Sequence, residues 1–493
     1  MSKNLKFNKI SAINFLKRAP KLTSEHAVPT GEGFSISKAL SEESAASGLP
    51  ERSPGIQRII LVLLVALFSL GLWFGPRVPD HDSKYCVWNI TVSKHVGQSA
   101  SCDSIEFIAP ANDLSLLLGP NSRRQDRPGT ILLVHFISQP LVWLFDRYLT
   151  QRKAETIVRK DGDRTITIPI AHLAAYYAGF LAMNFIVLRL SYVLYLRAIG
   201  FSGLKEGAPR GASALLGVLV FANNTTKEFL WSAHTQMFGI LAAMTAVCYF
   251  KAILNSEKPA GMLYMLAFLC GIGMLFYGLF VIPITIIGLG YLWRQRNILI
   301  NERGKIFRLA PQMFFAVLLF IFPYGVWYAY ILHLNGAFYH YDIETFKGFT
   351  WLPSLAAERG WGVAGLNLSQ AFWDMCRGAF SQGWGFLLFL GLLMLMARDE
   401  ETKEKAAPLW AGAGLYAFFT AVFFSLYGIT PLRSSYLMVA ALFPAIGLHL
   451  RRMEQQVQRP RLIFAATIAG LLFYIVFMIE KFGPYGTFSH PAG

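Results

Sequence analysis

Residues 56–75 read IQRIILVLLVALFSLGLWFG, and Arg58, near the start, carries the one charge in this stretch. An α-helix rises about 1.5 Å per residue, so a run of about 20 apolar residues is long enough to cross the hydrocarbon core of a bilayer. A cleavable signal sequence begins within the first few residues, whereas residues 1–55 precede this run and are mostly polar. We therefore predict that residues 56–75 remain in the protein as a membrane-spanning helix.

The same apolar pattern recurs along the chain. Hydrophobic residues make up 54% of it and charged residues 15%, whereas soluble domains carry about 25% charged residues. The sequence therefore predicts an all-α, polytopic integral membrane protein with about 10–13 transmembrane helices. The further apolar blocks have the approximate bounds 131–145, 166–196, 212–222, 235–254, 261–293, 309–332, 383–397, 408–427, 436–450 and 462–479.

The block 261–293 is too long for one straight crossing. It contains Gly271, Gly273, Gly278 and Pro283, and glycine and proline are common causes of helix breaks. We predict two helices, or one broken helix, in this block.

Basic connectors predict the orientation of the second half of the chain. Residues 294–308 and 451–461 are rich in Arg and Lys, which favours the cytoplasmic side. Counting crossings between them also places 398–405 inside, and places 333–382 and 428–434 outside. The formal charge of +16 follows from these connectors, and no zinc-ligand spacing, RNP motif or Walker loop indicates nucleic-acid binding.

The first half of the chain leaves two topologies open, because the connectors 146–164 and 197–210 are both basic. Both are cytoplasmic if 166–196 folds as a hairpin. Alternatively, 131–145 is an interfacial helix that does not cross, and 146–164 lies outside. We favour the second topology because Trp143, Asp146 and Arg147 break the apolar block and leave it short for a span.

The domain organisation follows from these assignments. Residues 1–55 are predicted to be a disordered cytoplasmic tail, residues 56–480 a transmembrane domain, and residues 481–493 an external C-terminal tail. Loops 76–129 and 333–382 are the large external segments. Cys86 and Cys102 both fall in the first loop, and their spacing leaves open whether they form a disulfide.

Two carboxylates follow the first span directly, in the stretch Gly75-Pro-Arg-Val-Pro-Asp80-His-Asp82-Ser-Lys-Tyr85. Their position predicts that they lie outside, close to the membrane surface. One interpretation is a solvated loop in which Asp80 caps a short helix. The other is an acidic pair that serves a binding or catalytic site.

The stretch Pro79-Asp80-His81-Asp82, followed by Tyr85, resembles the P-D-E-x-x-Y element of the GT-C superfamily of membrane glycosyltransferases. That superfamily includes the dolichyl-phosphate-mannose protein mannosyltransferases and the bacterial aminoarabinose and galacturonic acid transferases of lipid A. In that family the element opens the first large external loop, and its acidic residue is the candidate base. His81 departs from the pattern, because the family usually has Glu there.

Three later stretches fit the layout of the same family. Residues 221–234 (FANNTTKEFLWSAH) resemble its external turn with an acidic residue before a helix, and residues 271–293 resemble its glycine-rich helix pair. The stretch Pro431-Leu-Arg433-Ser-Ser-Tyr436, followed by Pro444, resembles its R-Y-x-x-x-x-x-P element. Here two serines separate Arg433 from Tyr436. The resemblance covers most of the chain from 56 to 450, although each motif is short.

The resemblance implies an enzyme that transfers a sugar from a polyprenyl-phosphate donor to a lipid, glycan or protein acceptor on the extracytoplasmic face. The predicted location is a bacterial inner membrane, and the basic connectors and the crossing count place the N-terminus in the cytoplasm and the C-terminus outside. Transfer requires a base for the acceptor hydroxyl and a cation for the phosphate. Some members of the family use a divalent metal ion, but two carboxylates alone specify none.

These requirements predict the roles of individual side chains. Asp80 is the candidate base, and Asp82 shares that role or binds a metal ion. Arg433 is the candidate donor-phosphate ligand, because a guanidinium binds phosphate bidentately; the alternative is an arginine that only orients the helix. The candidate substrate-binding residues are Tyr85, Lys227, Glu228 and His234.

A second hypothesis belongs to a different class, namely a transporter or flippase for a lipid-linked or amphipathic solute. It predicts ionisable residues well inside the spans. Arg189 is the main example in the sequence, so the enzyme is the better interpretation. A non-catalytic scaffold remains open.

Overall fold

The computed structural model describes most of the chain between residues 88 and 456. The described residues are 66, 73, 88–93, 96–100, 102–120, 122–148, 156–161, 164–200, 212–219, 226, 229–296, 306–396, 400–428, 432–456, 463, 465–470, 472–473 and 476. The predicted tails 1–55 and 481–493, and most of the first span, lie outside them.

The described part of the chain is mainly helical. Its helices are α1 (Cys102–Asn112), α2 (Leu114–Leu118), α3 (Pro128–Tyr148), α4 (Ile170–Ala198), α5 (Ala212–Leu219), α6 (Met237–Asn255), α7 (Pro259–Met274), α8 (Val281–Arg294), α9 (Ile306–Asn335), α10 (Tyr341–Phe346), α11 (Trp351–Arg359), α12 (Trp361–Met396), α13 (Glu400–Tyr427), α14 (Leu432–Ala440) and α15 (Phe443–Gln456).

Two antiparallel hairpins, which the sequence reading missed, interrupt the helices. Strands β1 (Trp88–Ser93) and β2 (Val96–Ala100) form the first hairpin, and β3 (Thr156–Asp161) and β4 (Arg164–Pro169) form the second. Thr and Ile alternate in β4, and this pattern suits a half-exposed strand. The hairpins are short, so the fold remains helical.

Helices among the described residues support a membrane protein. The five that are long and apolar enough to cross a bilayer are Pro128–Tyr148, Ile170–Ala198, Met237–Asn255, Leu309–Asn335 and Glu404–Tyr427. Helix α6 is the most buried, with 72% of its apolar window inside the protein, and it packs against α4, α8 and α13. It therefore lies at the centre of the described bundle.

Helix α4 excludes one of the two topologies that the sequence leaves open for the first half of the chain. Residues 170–198 form a continuous helix, which excludes the topology in which 166–196 folds as a hairpin. The helix is about 43 Å long at 1.5 Å per residue, longer than one crossing requires. Its first half packs against α3, where Gly179 faces Val134 and Ser138, and its second half packs against α6. The turn signals that a hairpin needs are absent from 170–198, and continuous backbone hydrogen bonding is the better solution in an apolar environment.

Two further boundaries differ from the prediction. Trp143, Asp146 and Arg147 do not break the block 131–145, because α3 runs through them to Tyr148. The predicted external loop 333–382 contains the end of α9, then α10 and α11, and the first part of α12. In both places polar residues suggested the end of a helix or a loop. An amphipathic helix tolerates such residues on its exposed side, so the helices extend further than predicted.

The break predicted in the block 261–293 is confirmed. Helix α7 ends at Met274, a 3₁₀ turn covers Gly278–Phe280, and α8 begins at Val281. The amide of Gly129 donates to the carbonyl of Leu275 at 2.9 Å. The segment between α7 and α8 is therefore hydrogen-bonded to the start of α3.

Close packing between α7 and α9 requires a glycine at 271. A Cβ atom built there would collide with the backbone carbonyl of Phe320 and lie 3.1 Å from Cδ of Pro323. We expect Gly271→Ala to reduce the free energy of unfolding by about 1–3 kcal/mol. Thermal unfolding in detergent micelles measures the change.

Gly261 is a matched control on the same helix, because a Cβ atom there meets nothing within 4 Å. Gly261→Ala should leave stability unchanged or raise it slightly, since alanine favours the helix. Equal effects of the two substitutions would contradict the close approach of α7 and α9.

Candidate functional site

Charged and aromatic side chains from four segments of the chain meet near the start of α6. Asp103 and Glu106 come from α1, Arg123 and Arg124 from the loop that precedes α3, His234 from the turn before α6, and Tyr341 from α10. We call these six residues the Arg124 cluster. Each belongs to a segment that the sequence predicts to be external.

Arg124 lies at the centre of the cluster. Its side chain is only 4% exposed, and Nη2 lies 2.6 Å from Oε2 of Glu106 and 3.7 Å from Oδ1 of Asp103. The guanidinium also lies over the ring of Phe107, 4.3 Å from its centroid, and 5.4 Å from the centroid of Tyr341. Paired carboxylates and aromatic faces together compensate the cost of burying this charge.

The two carboxylates of α1 differ in exposure. Glu106 is 11% exposed and is held between the Arg124 guanidinium and Nη1 of Arg123, at 2.7 Å. Asp103 is 47% exposed and contacts Arg124 from the rim. Of the pair, Asp103 is therefore the carboxylate that a substrate can reach, while Glu106 positions the guanidinium groups.

His234 connects the turn before α6 to Asp103. Its Nδ1 accepts a hydrogen bond from the amide of Gln236 at 3.2 Å, so Nε2 carries the hydrogen that it donates to Oδ2 of Asp103 at 3.3 Å. The rings of Phe107 and Phe229 pack around the imidazole, with centroids at 5.2 and 4.5 Å. The ring is thus fixed in one orientation toward Asp103.

Helix α4 holds the turn that carries His234. The amide nitrogen of Asn184, which is fully buried, donates to the carbonyls of Phe229, Leu230 and Ser232 at 3.1, 3.0 and 3.0 Å. The hydroxyl of Tyr177 donates to the carbonyl of Trp231. Irregular backbone in a membrane protein needs such internal donors, because lipid supplies none.

The end of α9 holds the arginine-bearing loop. The indole nitrogen of Trp327 donates to the backbone carbonyl of Gln125 at 2.7 Å. The backbone amide of Tyr339 donates to the side-chain Oε1 of Gln125 at 3.2 Å. The side-chain nitrogen of Asn335 donates to the carbonyl of Leu118 at 2.7 Å. Because backbone carbonyls are fixed at both ends, the loop is a rigid platform for Arg123 and Arg124.

The ring of Tyr341 lies near both guanidinium groups, with its centroid 5.5 Å from Cζ of Arg123 and 5.4 Å from Cζ of Arg124. Burial raises the pKa of its phenol above the usual value, and the Glu106 and Asp103 carboxylates act in the same direction, whereas Arg123 and Arg124 lower it. The phenol therefore keeps its proton at neutral pH. It can donate a hydrogen bond to a ligand that bears oxygen atoms.

The residues predicted from the sequence are only partly placed. His234 lies in the Arg124 cluster. Arg433 lies in the first turn of α14, but its side chain is outside the described residues, as are the other predicted site residues: Asp80, Asp82, Tyr85, Lys227 and Glu228. The roles of Asp80 and Arg433 therefore stay predictions, and the question of a disulfide between Cys86 and Cys102 stays open.

No known protein family, curated protein or solved structure matches this chain. The assignment of the site therefore depends on its geometry.

Sequence reasoning missed the central residues of the cluster, although two signals were available. Asp103 and Glu106 are three residues apart, a spacing that places both carboxylates on one face of a helix. Arg123 and Arg124 are adjacent in a loop next to glycine and proline residues. Neither signal reveals that the two pairs meet.

A metal site is not evident in the same region. Among the residues that the structure describes, no group of three or more His, Cys, Asp or Glu side chains is arranged to hold a metal ion. Asp82 lies outside that set, so its proposed metal role stays a prediction.

Proposed function

We propose that the chain is a membrane glycosyltransferase that transfers a sugar from a polyprenyl-phosphate donor to an acceptor on the extracytoplasmic face. One observation carries the proposal, namely that α1, the loop before α3, the turn before α6 and α10 bring acidic, basic, imidazole and phenol side chains to a common site. Transfer from a polyprenyl-phosphate sugar requires a base and a cation close together.

The side chains of the cluster suit this chemistry. In the reaction the acceptor oxygen attacks the anomeric carbon, the bond from that carbon to the phosphate oxygen breaks, and the acceptor proton passes to a base. Asp103 is half-exposed and adjacent to a fixed imidazole, so it can orient the acceptor hydroxyl or accept its proton. Arg123 is 38% exposed and can approach the leaving phosphate. Asp80 and Asp82 remain candidates for the same base.

The backbone of α14 supports a place for Arg433 near this end of the bundle. Leu437, one helical turn after Arg433, lies against Gly239, where a Cβ atom would be 2.9 Å from Cδ1 of Leu437. Gly239 is in the first turn of α6, a short distance along the chain from His234. The helix that carries Arg433 therefore begins on the side where the cluster lies.

The transporter hypothesis has less support. Arg189 in α4 is exposed on the surface of the described helices, not directed into a central path. The buried amide of Asn184 is fully engaged as a donor to the turn before α6. Neither residue provides a conducting or alternating-access site.

Release of polyprenyl phosphate in membranes that contain the protein tests the proposal. Membranes are supplied with a panel of polyprenyl-phosphate sugars, and transfer to endogenous or added acceptors is followed by mass spectrometry. We expect Asp80→Asn or Asp103→Asn to lower the rate by about 10²- to 10⁴-fold, the usual contribution of a general base.

Asp113→Asn is the matched control, because Asp113 is an exposed acid in the same region that only caps α2. It should retain the wild-type rate. Full activity in both Asp80→Asn and Asp103→Asn would exclude a role for these acids. Movement of the lipid-linked sugar across vesicles without covalent change would instead support transport.

A further inference from the structure

Three consecutive residues in the turn before α6 are each held by a different segment of the chain. The first, His234, contacts α1 as described above. The hydroxyl of Thr235, the second, accepts a hydrogen bond from Nη1 of Arg127 at 3.4 Å. The third, Gln236, accepts one at Oε1 from the hydroxyl of Tyr277 at 2.6 Å. The segment between α7 and α8, which carries Tyr277, therefore contacts the same turn as the Arg124 cluster.

The interruption between α7 and α8 brings a buried phenol to this turn. Tyr277 directly precedes the 3₁₀ turn Gly278–Phe280, and its φ of −159° is that of extended backbone. Its amide donates to the carbonyl of Gly273 at 2.9 Å, and the residue is 6% exposed. The ring lies against the first turn of α6, where a Cβ atom at Gly239 would be 3.5 Å from Cε1. The phenol is therefore packed against the start of α6.

Arg127 restrains the phenol ring and the turn together. Its guanidinium lies over the ring of Tyr277, with Cζ 5.6 Å from the centroid. Its Nε lies 3.3 Å from Oδ2 of Asp126, and the two side chains are 14% and 6% exposed. A guanidinium that is both paired and stacked on an aromatic face has little freedom to move. The arginine that bonds to Thr235 therefore also fixes the position of Tyr277.

A chain of hydrogen bonds leads from Tyr277 to the candidate base. The phenol holds the side chain of Gln236, and the backbone amide of Gln236 donates to Nδ1 of His234 at 3.2 Å. Nε2 of His234 then carries the hydrogen, which it donates to Oδ2 of Asp103 at 3.3 Å. The bond made by one ring nitrogen decides which tautomer the imidazole adopts. Displacement of Gln236 would therefore change the atom that faces Asp103.

The tautomer of His234 affects the carboxylate directly. With the hydrogen on Nε2, the imidazole donates to Asp103 and orients its oxygen atoms. With the hydrogen on Nδ1, the lone pair of Nε2 would face the carboxylate, which would lose a donor. An imidazole in the wrong tautomer lowers the rate of acid–base catalysis by orders of magnitude.

We propose that Tyr277 is a positioning residue of the transferase. By holding Gln236 it directs the Nε2 hydrogen of His234 toward Asp103. The assignment rests on the proposed function, because Asp103 is a candidate base for that reaction. Since the side chain of Tyr277 is buried, it acts through the turn and not on the substrate. A tyrosine that served packing alone would have the same effect on the rate whether or not His234 is present.

Transfer kinetics in membranes that contain the full-length protein test this assignment. Tyr277→Phe keeps the ring and removes the hydroxyl. It should lower kcat about tenfold, a factor of the size that one hydrogen bond provides, and leave KM for the polyprenyl-phosphate sugar unchanged. In the His234→Gln background the same substitution should have no further effect, because residues that act through one another are not additive. A wild-type kcat in Tyr277→Phe, or an undiminished loss in the His234→Gln background, would overturn the proposal.

Tyr416→Phe is the matched control. The hydroxyl of Tyr416 is also buried and donates to the carbonyl of Gly239 in the first turn of α6, at 3.4 Å. It lies outside the turn that carries His234, so its removal should leave kcat unchanged. A loss in Tyr416→Phe equal to that in Tyr277→Phe would assign the effect to packing around α6 and overturn the proposal.

Nitrogen NMR of the protein labelled with ¹⁵N-histidine separates the positioning role from the proposed function. The signals of His234 are assigned by their loss in His234→Gln and recorded at a pH where the imidazole is neutral. We expect the hydrogen on Nε2 in the wild type and a mixture of tautomers in Tyr277→Phe. Unchanged signals in Tyr277→Phe would overturn the positioning role. Absence of transfer by the wild type, together with the expected tautomer change, would contradict the transferase and leave the link from Tyr277 to His234 standing.

Discussion

Replacement of Arg124 by glutamine is expected to reduce the free energy of unfolding by about 3–5 kcal/mol, because it leaves a buried carboxylate without its main partner. Glu106 is 11% exposed and lies 2.6 Å from the Arg124 guanidinium. Arg123 still pairs with Glu106, so a value near the lower end of the range is expected. Thermal or denaturant unfolding in micelles measures the change.

Arg123→Gln is the control for this prediction. Arg123 binds the same carboxylate but is 38% exposed, so water replaces it, and the loss should be below about 1 kcal/mol. The double variant Arg124→Gln/Glu106→Gln removes both buried charges and should recover part of the stability lost in Arg124→Gln. Equal losses in the two single arginine variants would show that Arg124 is not the buried centre of the cluster.

Replacement of Asn184 by leucine is expected to cost about 2–3 kcal/mol, about 1 kcal/mol for each hydrogen bond lost. The carbonyls of Phe229, Leu230 and Ser232 would then face an apolar side chain. Asn184→Asp should cost more, because a carboxylate oxygen would replace the donor and repel these carbonyls. The turn would release His234, so the transfer rate should fall along with the stability.

Asn367 provides the comparison. Its side chain is exposed on α12 and donates only to the carbonyl of Val363 in its own helix, at 2.9 Å. Asn367→Leu should change the stability by less than about 0.5 kcal/mol, as is usual for a surface site. An equally small loss of stability in Asn184→Leu would show that the hydrogen bonds from α4 do not stabilise the turn before α6.

Helical features with a local cause were predictable. The break after α7 follows from glycine and proline residues inside one long apolar block, and the structure contains it. The sequence left open a hairpin at 166–196 because the connectors on both flanks are basic, whereas the residues of α4 form one continuous helix. The bounds of the helices within 333–382 were not predicted, because the mixed polar and apolar residues there suit both a loop and an amphipathic helix.

The candidate site was much less predictable. His234 was selected for its position before an apolar span, and the structure places it 3.3 Å from Asp103. Asp103 and Arg124 were not selected at all, because neither belongs to a motif. Their significance comes from burial and pairing, which involve segments that are distant along the chain.

The amino-acid sequence by itself determined that this is a helical membrane protein, because hydropathy depends on composition within windows of about 20 residues. Tertiary structure alone decided which charged side chains meet. His234 is 131 positions from Asp103, and Glu454 is 241 positions from Ser213, so no local pattern connects either pair. These contacts form only when the helices pack. A buried charged or polar group is costly without a partner, and packing brings the two groups together.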